Sequence, residues 1–177
     1  GHNSAKLTFF NTIDKVKAKI NNLDVVRKAL EVVSKDEAAR TCTSLIETSV
    51  PDLVVAFQRL CECVYPQIEG AKPLKRNVFQ RLDDGNKLWH DLVGKGYDDW
   101  ITDVQYAKLR KCFQQRHLLQ HQDGIVDQDY ISKSGDVSYQ VGQHLIIKPE
   151  DITEYAGIVE ALGKQVLALL EEVKVNE

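Results

Sequence analysis

The sequence predicts an all-α protein: an antiparallel bundle of four or five helices, with a small loop or β-hairpin inserted before the last helix. The chain of 177 residues has only 10 glycines and 4 prolines. That is too few for an all-β fold, which needs a turn signal about every 8–12 residues. Apolar residues recur instead at three- and four-residue steps, the spacing of amphipathic helices. Long helices with short connections pack most simply as an antiparallel bundle, so we expect one domain over residues 1–177.

Two helices are predicted in the first part of the chain. The first spans about 23–46, and its apolar stripe comprises Leu23, Val26, Leu30 and Val33. Pro51 and Asp52 are predicted to open the second, because proline is tolerated in a first helical turn and an aspartate suits its positive end. The stripe of this helix comprises Leu53, Phe57, Leu60 and Val64, and Gly70 and Pro73 end it.

Two further helices are predicted in the middle of the chain. A segment over about 75–92 ends at the glycine-rich run 94–96, which is typical of a helix terminator. Thr102 and Gln105 have the spacing of a capping box, in which each side chain binds a free backbone N–H at the start of a helix. The fourth helix is therefore expected to run from Asp103 to about Gln122.

The last third of the chain contains turns, short β-like runs and one long helix. Turn residues stand at 123–124 and 134–136, and β-like runs at 137–139 and 144–147 predict a small hairpin or an extended loop. Pro149 then begins the last helix. Its apolar stripe is the clearest in the sequence and comprises Tyr155, Ile158, Val159, Leu162, Val166, Leu169, Leu170 and Val173.

Charge is distributed unevenly along the chain. The net charge is −3 and the isoelectric point is near 6.0, which argues against a protein that coats DNA indiscriminately. Residues 1–70 carry no net charge, residues 71–116 carry +4 and residues 117–177 carry −7. A partner that bears phosphate groups would be drawn to the positive middle segment.

The chain ends and the cysteines predict a cytoplasmic protein with no membrane segment. No stretch approaches the roughly 18 consecutive apolar residues of a membrane span, and no signal-peptide pattern opens the chain. Gly1 and His2 resemble a cleavage scar and methionine is absent, so residues 1–4 are expected to be a tag remnant or disordered, and the chain fits a domain of a longer protein. Reduced, buried thiols are favoured over a metal site or a disulfide for Cys42, Cys61, Cys63 and Cys112.

The end of the fourth helix carries the residues with the clearest chemistry. Its apolar stripe continues into Arg116, and burying an unpaired guanidinium costs several kcal/mol. Arg116 must therefore face a partner, a polar cleft or a second subunit, or else extend past the bundle end or pair with a local acid. His117 and His121, four residues apart, share one side of the helix, whereas Arg116 and His121 differ by about 140°. Arg116 reaches His121 only through its long side chain or across a dimer interface.

The segment from Arg116 to His121 resembles the HEPN superfamily (higher eukaryotes and prokaryotes nucleotide-binding domains). Arg-His-Leu-Leu-Gln-His matches its R-x4-6-H motif with a polar residue after the arginine, and the resemblance is best over residues 51–131. It implies an all-α bundle that dimerises so that the motifs of two subunits face each other. In many members it also implies a metal-independent endoribonuclease, here of the toxin or antiviral-defence kind and part of a longer defence protein.

The chemistry of RNA cleavage fits these residue types. RNA supplies its own nucleophile, the ribose 2′-hydroxyl, so the protein needs a group that transfers protons and a cation that stabilises the phosphorane charge. We expect His121 to act as general base or acid, Arg116 to stabilise the scissile phosphate, and His117 to orient or assist. Products would carry 2′,3′-cyclic phosphate and 5′-hydroxyl ends, and no cofactor or metal is expected.

Two other functions stay open at this point. One is a non-catalytic HEPN-like domain that dimerises or docks a partner through an amphipathic face. The other is a metal-dependent enzyme that uses His117 and His121, although the glutamate of an H-E-x-x-H site is absent. Asp123 either hydrogen-bonds a histidine or is a cap or turn residue. His90 and His144 are expected to be packing or surface residues.

Overall fold

The computed structural model describes residues 2–175, with side chains over 3–172, and confirms the all-α class. Eight α-helices follow one another: α1 (His2–Asn21), α2 (Leu23–Glu31), α3 (Lys35–Val64), α4 (Leu82–Val93), α5 (Tyr97–Trp100), α6 (Asp103–His121), α7 (Gln128–Ser134) and α8 (Pro149–Val175). Two short 3-10 turns lie at Tyr65–Gln67 and Val78–Gln80. None of the helices so described is long and apolar enough to cross a membrane. The described part of α1 includes residues 2–4, and Gly1 lies outside the described residues.

The long helix α3 forms the centre of the fold. It packs against α1, α2, α6 and α8, while α6 packs in addition against α7 and α8. The apolar stripe predicted for its second half is fully buried and comprises Leu53, Phe57, Leu60 and Val64. An aromatic cluster of Tyr65, Phe79, Trp89 and Tyr97 extends this core towards α4 and α5. The helix α6, which carries the Arg116–His121 motif, is thus packed against α3, α7 and α8.

The predicted helix start at Pro51 is wrong, because Pro51 lies inside α3. A proline in a helix interior removes one backbone hydrogen bond and costs about 3 kcal/mol. Here Val50, directly before Pro51, and Leu53, two residues after it, are completely buried, and the burial of this continuous stripe outweighs that cost. The hydroxyl of Ser49 donates to the Leu45 carbonyl oxygen at 2.8 Å, a local bond typical of helix interiors.

The predicted helix over 23–46 is divided in two. It breaks after Glu31, and α3 begins behind Ser34, whose hydroxyl oxygen accepts a hydrogen bond from the Glu37 backbone N–H at 3.2 Å. Val33, placed on the buried stripe by its spacing, is instead 77% exposed in the turn between the helices. A good N-cap therefore decides the boundary against the apolar periodicity. The first helix, α1, has no counterpart among the predicted elements.

The predictions for α6 and α8 are confirmed, except that the side chain of Val173, the last residue of the predicted stripe on α8, lies outside the described residues. Thr102 and Gln105 form the capping box: the Gln105 N–H donates to the Thr102 hydroxyl oxygen at 3.1 Å, and the Thr102 N–H donates to Gln105 Oε1 at 3.0 Å. The helix terminator is also confirmed, since Gly94 ends α4 with a left-handed backbone at a φ of 78°.

The segment between α6 and α8 takes the loop form and not the hairpin form. Residues 144–147 do not pair with 137–139; the segment pairs with residues 124–126, which follow α6, through an isolated antiparallel bridge between Ile125 and His144. The Leu145 N–H donates to the Gly124 carbonyl oxygen at 2.8 Å, and the Val126 N–H donates to that of Gln143 at 2.9 Å. This pairing holds the loop against the candidate site.

Candidate functional site

The last two turns of α6 carry the three predicted site residues. Leu118, which is buried against the core, fixes this part of the helix. His117 and His121 are exposed on one side of it, with ring centroids 4.7 Å apart and ring planes inclined by 51°. Arg116 is half-buried on another side of the same turn. The structure therefore brings the two histidines together, while the backbone directs Arg116 away from them.

Arg116 has no acidic partner among the described side chains. Burial alone lowers the pKa of its guanidinium below the usual value, and no carboxylate offsets that effect. The alternative in which Arg116 pairs with a local acid is therefore wrong. A half-buried cation without a counter-charge is a favourable place for an anion to bind, because the anion replaces part of the lost hydration.

His117 lies in a positively charged environment. Burial lowers its pKa below the ordinary value, and the positive charges of His121, Lys133 and Arg116 lower it further, while Asp127 opposes them. We call His117 and the three residues whose positive charges act on it, Arg116, His121 and Lys133, the cation cluster, although Arg116 leaves α6 on a different side from the two histidines. A histidine with a lowered pKa is neutral at pH 7, so His117 can accept a proton or a hydrogen bond from a ligand.

Lys133 is a member of this cluster that the sequence did not indicate. It lies on α7, a helix that was not predicted, and α7 packs against α6. A local signal for α7 exists, because the Asp127 carboxylate accepts a hydrogen bond from the Tyr130 N–H at 2.8 Å as an N-cap. No local pattern, however, places Lys133 beside His117, since that proximity depends on the packing of two helices.

His144 was expected to be a packing or surface residue, and the structure places it beside the end of α6. The bridge to Ile125 positions its ring over Gly124: a Cβ atom on Gly124 would lie 3.3 Å from His144 Cε1. Gly124 also has a left-handed backbone, with a φ of 76°, so a larger residue is disfavoured there on both grounds. The close approach of His144 therefore depends on this glycine.

The turn interpretation of Asp123 is confirmed. Its backbone is left-handed, with a φ of 51°, directly after the C-cap Gln122. Aspartate tolerates this conformation better than most residues, which is why it is common in such turns.

The cysteines do not contribute a nucleophile to the site. Cys42, Cys61 and Cys112 are buried, and Cys63 is half-buried. Burial raises the pKa of the Cys61 and Cys112 thiols far above their ordinary value. Both thiols therefore stay protonated at physiological pH, and only a thiolate reacts as a nucleophile.

The candidate metal ligands in the described residues lie elsewhere. His117 and His121 are not joined there by a third ligand; the three groups that come within 4.8 Å of one another are His90, Asp98 and Asp99. His90 Nε2 lies 2.6 Å from Asp98 Oδ1 and 3.6 Å from Asp99 Oδ2. The Asp99 carboxylate also accepts a hydrogen bond from the Gly96 N–H at 3.0 Å. This exposed group is explained as an ion pair that closes the turn between α4 and α5.

The His90–Asp98 pair is expected to stabilise the fold most at mildly acidic pH. The hydrogen bond that His90 Nε2 donates to the Asp98 carboxylate raises the pKa of His90 above 6.5, and the same bond lowers the pKa of Asp98 below 3.8. The contribution of His90 is full below pH 6.5 and is lost as pH rises through its raised pKa; that of Asp98 is lost as pH falls through its lowered pKa. His90→Gln should therefore lower Tm at about pH 5.5, and this deficit should shrink by about pH 9.

Thermal melts of the two proteins at both pH values check this expectation, with Asp98→Asn as the matched variant that should reproduce the same pattern. A deficit of equal size at the two pH values would show that His90 stabilises the turn by packing alone.

The candidate site consists of the exposed histidine pair, the half-buried Arg116, and Lys133 on the neighbouring helix. Comparisons of the chain with protein families, with curated proteins and with solved structures found no match.

Proposed function

We propose that this chain is a metal-independent endoribonuclease domain of the HEPN kind, in which Arg116 and His121 cleave RNA at a homodimer interface. The observation that carries the proposal is the half-buried Arg116, which has no acidic partner among the described side chains and directly precedes the first of two exposed histidines. A guanidinium in this state suits a phosphodiester, and the adjacent imidazoles suit proton transfer near neutral pH. The R-x4-6-H motif formed by these residues adds the resemblance to the family.

The proposed reaction needs only groups that these side chains, the RNA and water supply. The ribose 2′-hydroxyl attacks the adjacent phosphorus and the bond from phosphorus to the 5′-oxygen breaks, which leaves a 2′,3′-cyclic phosphate and a 5′-hydroxyl. His121 accepts the 2′-hydroxyl proton while water protonates the leaving 5′-oxygen, or His121 protonates that oxygen while water takes the 2′-hydroxyl proton. Arg116 stabilises the charge on the phosphorane oxygens. His117, whose lowered pKa keeps it neutral, orients the substrate or assists.

A second copy of the chain completes the site in this proposal. Arg116 and His121 diverge by about 140° around one helix, so two facing helices can bring an arginine and a histidine to the same phosphate. Four apolar side chains are exposed on the segment between α6 and α8: Ile125, Val137, Val141 and Ile146 are between 41% and 90% exposed. We call these four residues the exposed apolar surface. Covering them in a dimer would remove apolar area from water.

The cellular setting of the proposal follows from the same motif. We propose a cytoplasmic RNase of the toxin or antiviral-defence kind, as one part of a longer defence protein. The alternative function is a non-catalytic HEPN-like dimerisation or partner-binding domain. The exposed apolar surface favours this alternative as much as it favours an enzyme, because it needs only a docking partner.

Incubation of the protein with total RNA, with and without EDTA, tests the proposal. We expect cleavage that survives EDTA and fragments that end in 2′,3′-cyclic phosphate and 5′-hydroxyl. Cleavage that EDTA abolishes would favour a metal-dependent enzyme, and a stable dimer that does not cleave RNA would favour the binding domain. The double variant Arg116→Ala/His121→Ala, purified in the same way, controls for a contaminating nuclease.

A further inference from the structure

We propose that Lys133 is a second phosphate-binding cation of the candidate site, and that the buried hydrogen-bond network around Asp136 holds it beside the motif of α6. The inference rests on the proposed function for its ligand, the phosphodiester of RNA. It adds Lys133 of α7 to the site and assigns a positioning role to the buried polar residues of this network.

One part of this network joins α6, α7 and α8 through buried side chains. The Tyr155 hydroxyl of α8 donates to Gln115 Oε1 of α6 at 3.0 Å, and Gln115 Nε2 lies 3.4 Å from the Tyr130 hydroxyl oxygen of α7. The Tyr130 hydroxyl donates in turn to Asp136 Oδ2 at 2.8 Å. These bonds tie α7 to α6 at Gln115, the residue directly before Arg116.

The other part of this network lies at the C-terminal end of α7 and fixes its position. The Asp136 N–H donates to the Ser134 hydroxyl oxygen at 3.1 Å, and Asp136 Oδ1 accepts hydrogen bonds from the N–H and the hydroxyl of Ser138. Gln115, Ser134 and Asp136 are each no more than 8% exposed. Burial would raise the pKa of Asp136, but the hydrogen bonds from Ser138 and Tyr130 outweigh it and hold the pKa below its usual range.

A buried carboxylate demands such an arrangement, because leaving it without hydrogen bonds is costly. Hydrogen bonds are directional, so they fix the relative positions of the groups that they join. Here they join Gln115 of α6 to Tyr130 of α7, and Tyr130 and Ser134 of α7 to Asp136. An apolar contact in their place would let α7 rotate or slide on α6 more freely. The network therefore specifies where the exposed face of α7 lies relative to the exposed face of α6.

Lys133 lies on that exposed face of α7, next to Ser134. Its ammonium group is 3.8 Å from Asp129 Oδ2 in a pair whose two side chains are both mostly exposed, and such a pair is weak. Its charge acts on His117, whose pKa it lowers together with Arg116. The positive charges of Arg116 on α6 and Lys133 on α7 thus both act on His117, because the two helices pack together at Gln115. We expect a phosphate that binds at this end of α6 to contact Lys133.

Titration of His117 by NMR in the unliganded protein tests the positioning without reference to RNA. Lys133→Gln should raise the pKa of His117 towards its ordinary value, because a neighbouring positive charge is lost. Tyr130→Phe should also raise it, by releasing α7. In the double variant the two rises should not add, since the network acts through Lys133. Lys148→Gln, which removes an exposed lysine directly before α8, is the matched control and should leave the pKa unchanged.

The positioning role is overturned if Tyr130→Phe keeps the native circular dichroism spectrum and leaves the pKa of His117 unchanged. Should this variant fail to fold, Ser138→Ala takes its place, because it removes one hydrogen bond to the same carboxylate at the exposed edge of the network. With Ser138→Ala, a raised pKa of His117 supports the positioning role, and an unchanged pKa in a protein with the native circular dichroism spectrum overturns it.

The binding role is tested with a short RNA oligonucleotide and the protein carrying His121→Ala, so that cleavage does not interfere. Lys133→Gln in this background should weaken binding and reduce the salt-dependence slope by about 1, as expected for one lost phosphate contact, and Lys133→Arg should restore both. An unchanged slope would overturn the assignment of Lys133. If the slope changes but the protein with His121 intact never cleaves RNA, the proposed function fails and the phosphate-binding lysine stands.

Discussion

Replacing His121 with alanine is expected to lower the rate of RNA cleavage by about 10²- to 10⁴-fold, the usual contribution of a positioned proton-transfer group. Arg116→Ala should lower it by about 10²- to 10³-fold, because the phosphorane charge then loses its main cation. The two effects should not multiply in the double variant, since both residues serve the same step. Initial rates on a fluorescent RNA oligonucleotide, with all variants at equal concentration, measure the three values.

The matched control is His90→Ala, which removes an exposed histidine on α4, outside the cation cluster, and should leave the rate unchanged. Cleavage that persists at the wild-type rate in His121→Ala would remove the general acid–base role from this residue. A loss of similar size in His90→Ala would instead point to damage to the fold.

Mixing the two single variants separates a site within one chain from a site across a dimer. If Arg116 of one subunit and His121 of the other act together, a mixed dimer of Arg116→Ala and His121→Ala contains one intact pair. Activity should then reappear on mixing two inactive proteins. If both residues act within one chain, the mixture stays inactive, and the dimer serves some other purpose.

The elements that carry strong local signals were predictable from the sequence, and α6 is the clearest of them. Thr102 and Gln105 fix its start, so residue spacing alone places the motif near the end of a late helix. Pro51 shows the limit of local rules. The preference of proline for a helix start is smaller than the stabilisation from burying Val50 and Leu53 in one continuous helix.

The features at or near the site that the sequence did not indicate depend on long-range contacts. His144 comes to the end of α6 because residues 144–147 pair with 124–126, twenty residues earlier in the chain, and not with the nearer run at 137–139. Lys133 stands beside His117 only because α7 packs on α6 through Gln115 and Tyr130. Spacing along the sequence carries no information on either contact, since periodicity reports only which residues share a face of their own element.

Placing a side chain at Gly163 is expected to destabilise the fold more than other single-methyl changes on α8. A Cβ atom there would overlap the ring of Phe9, whose Cε1 and Cζ atoms lie well inside van der Waals contact of that position. Phe9 is only 1% exposed and packs edge-on against Phe10 at 5.2 Å, so displacing its ring disrupts packing in the core. Gly163→Ala should therefore separate α1 from α8 and lower the free energy of unfolding by about 1–3 kcal/mol, measured by urea denaturation.

Gly157, on the same helix, is the matched control, because a Cβ atom there would meet no atom within 4 Å. Gly157→Ala should raise the free energy of unfolding by about 0.5–1 kcal/mol, since alanine has the higher helix propensity. The two variants make the same chemical change in one helix and should move stability in opposite directions. If both stabilised the protein, α8 would gain from helix propensity at either position, and the close contact of Phe9 with Gly163 would not be what holds α1 against α8.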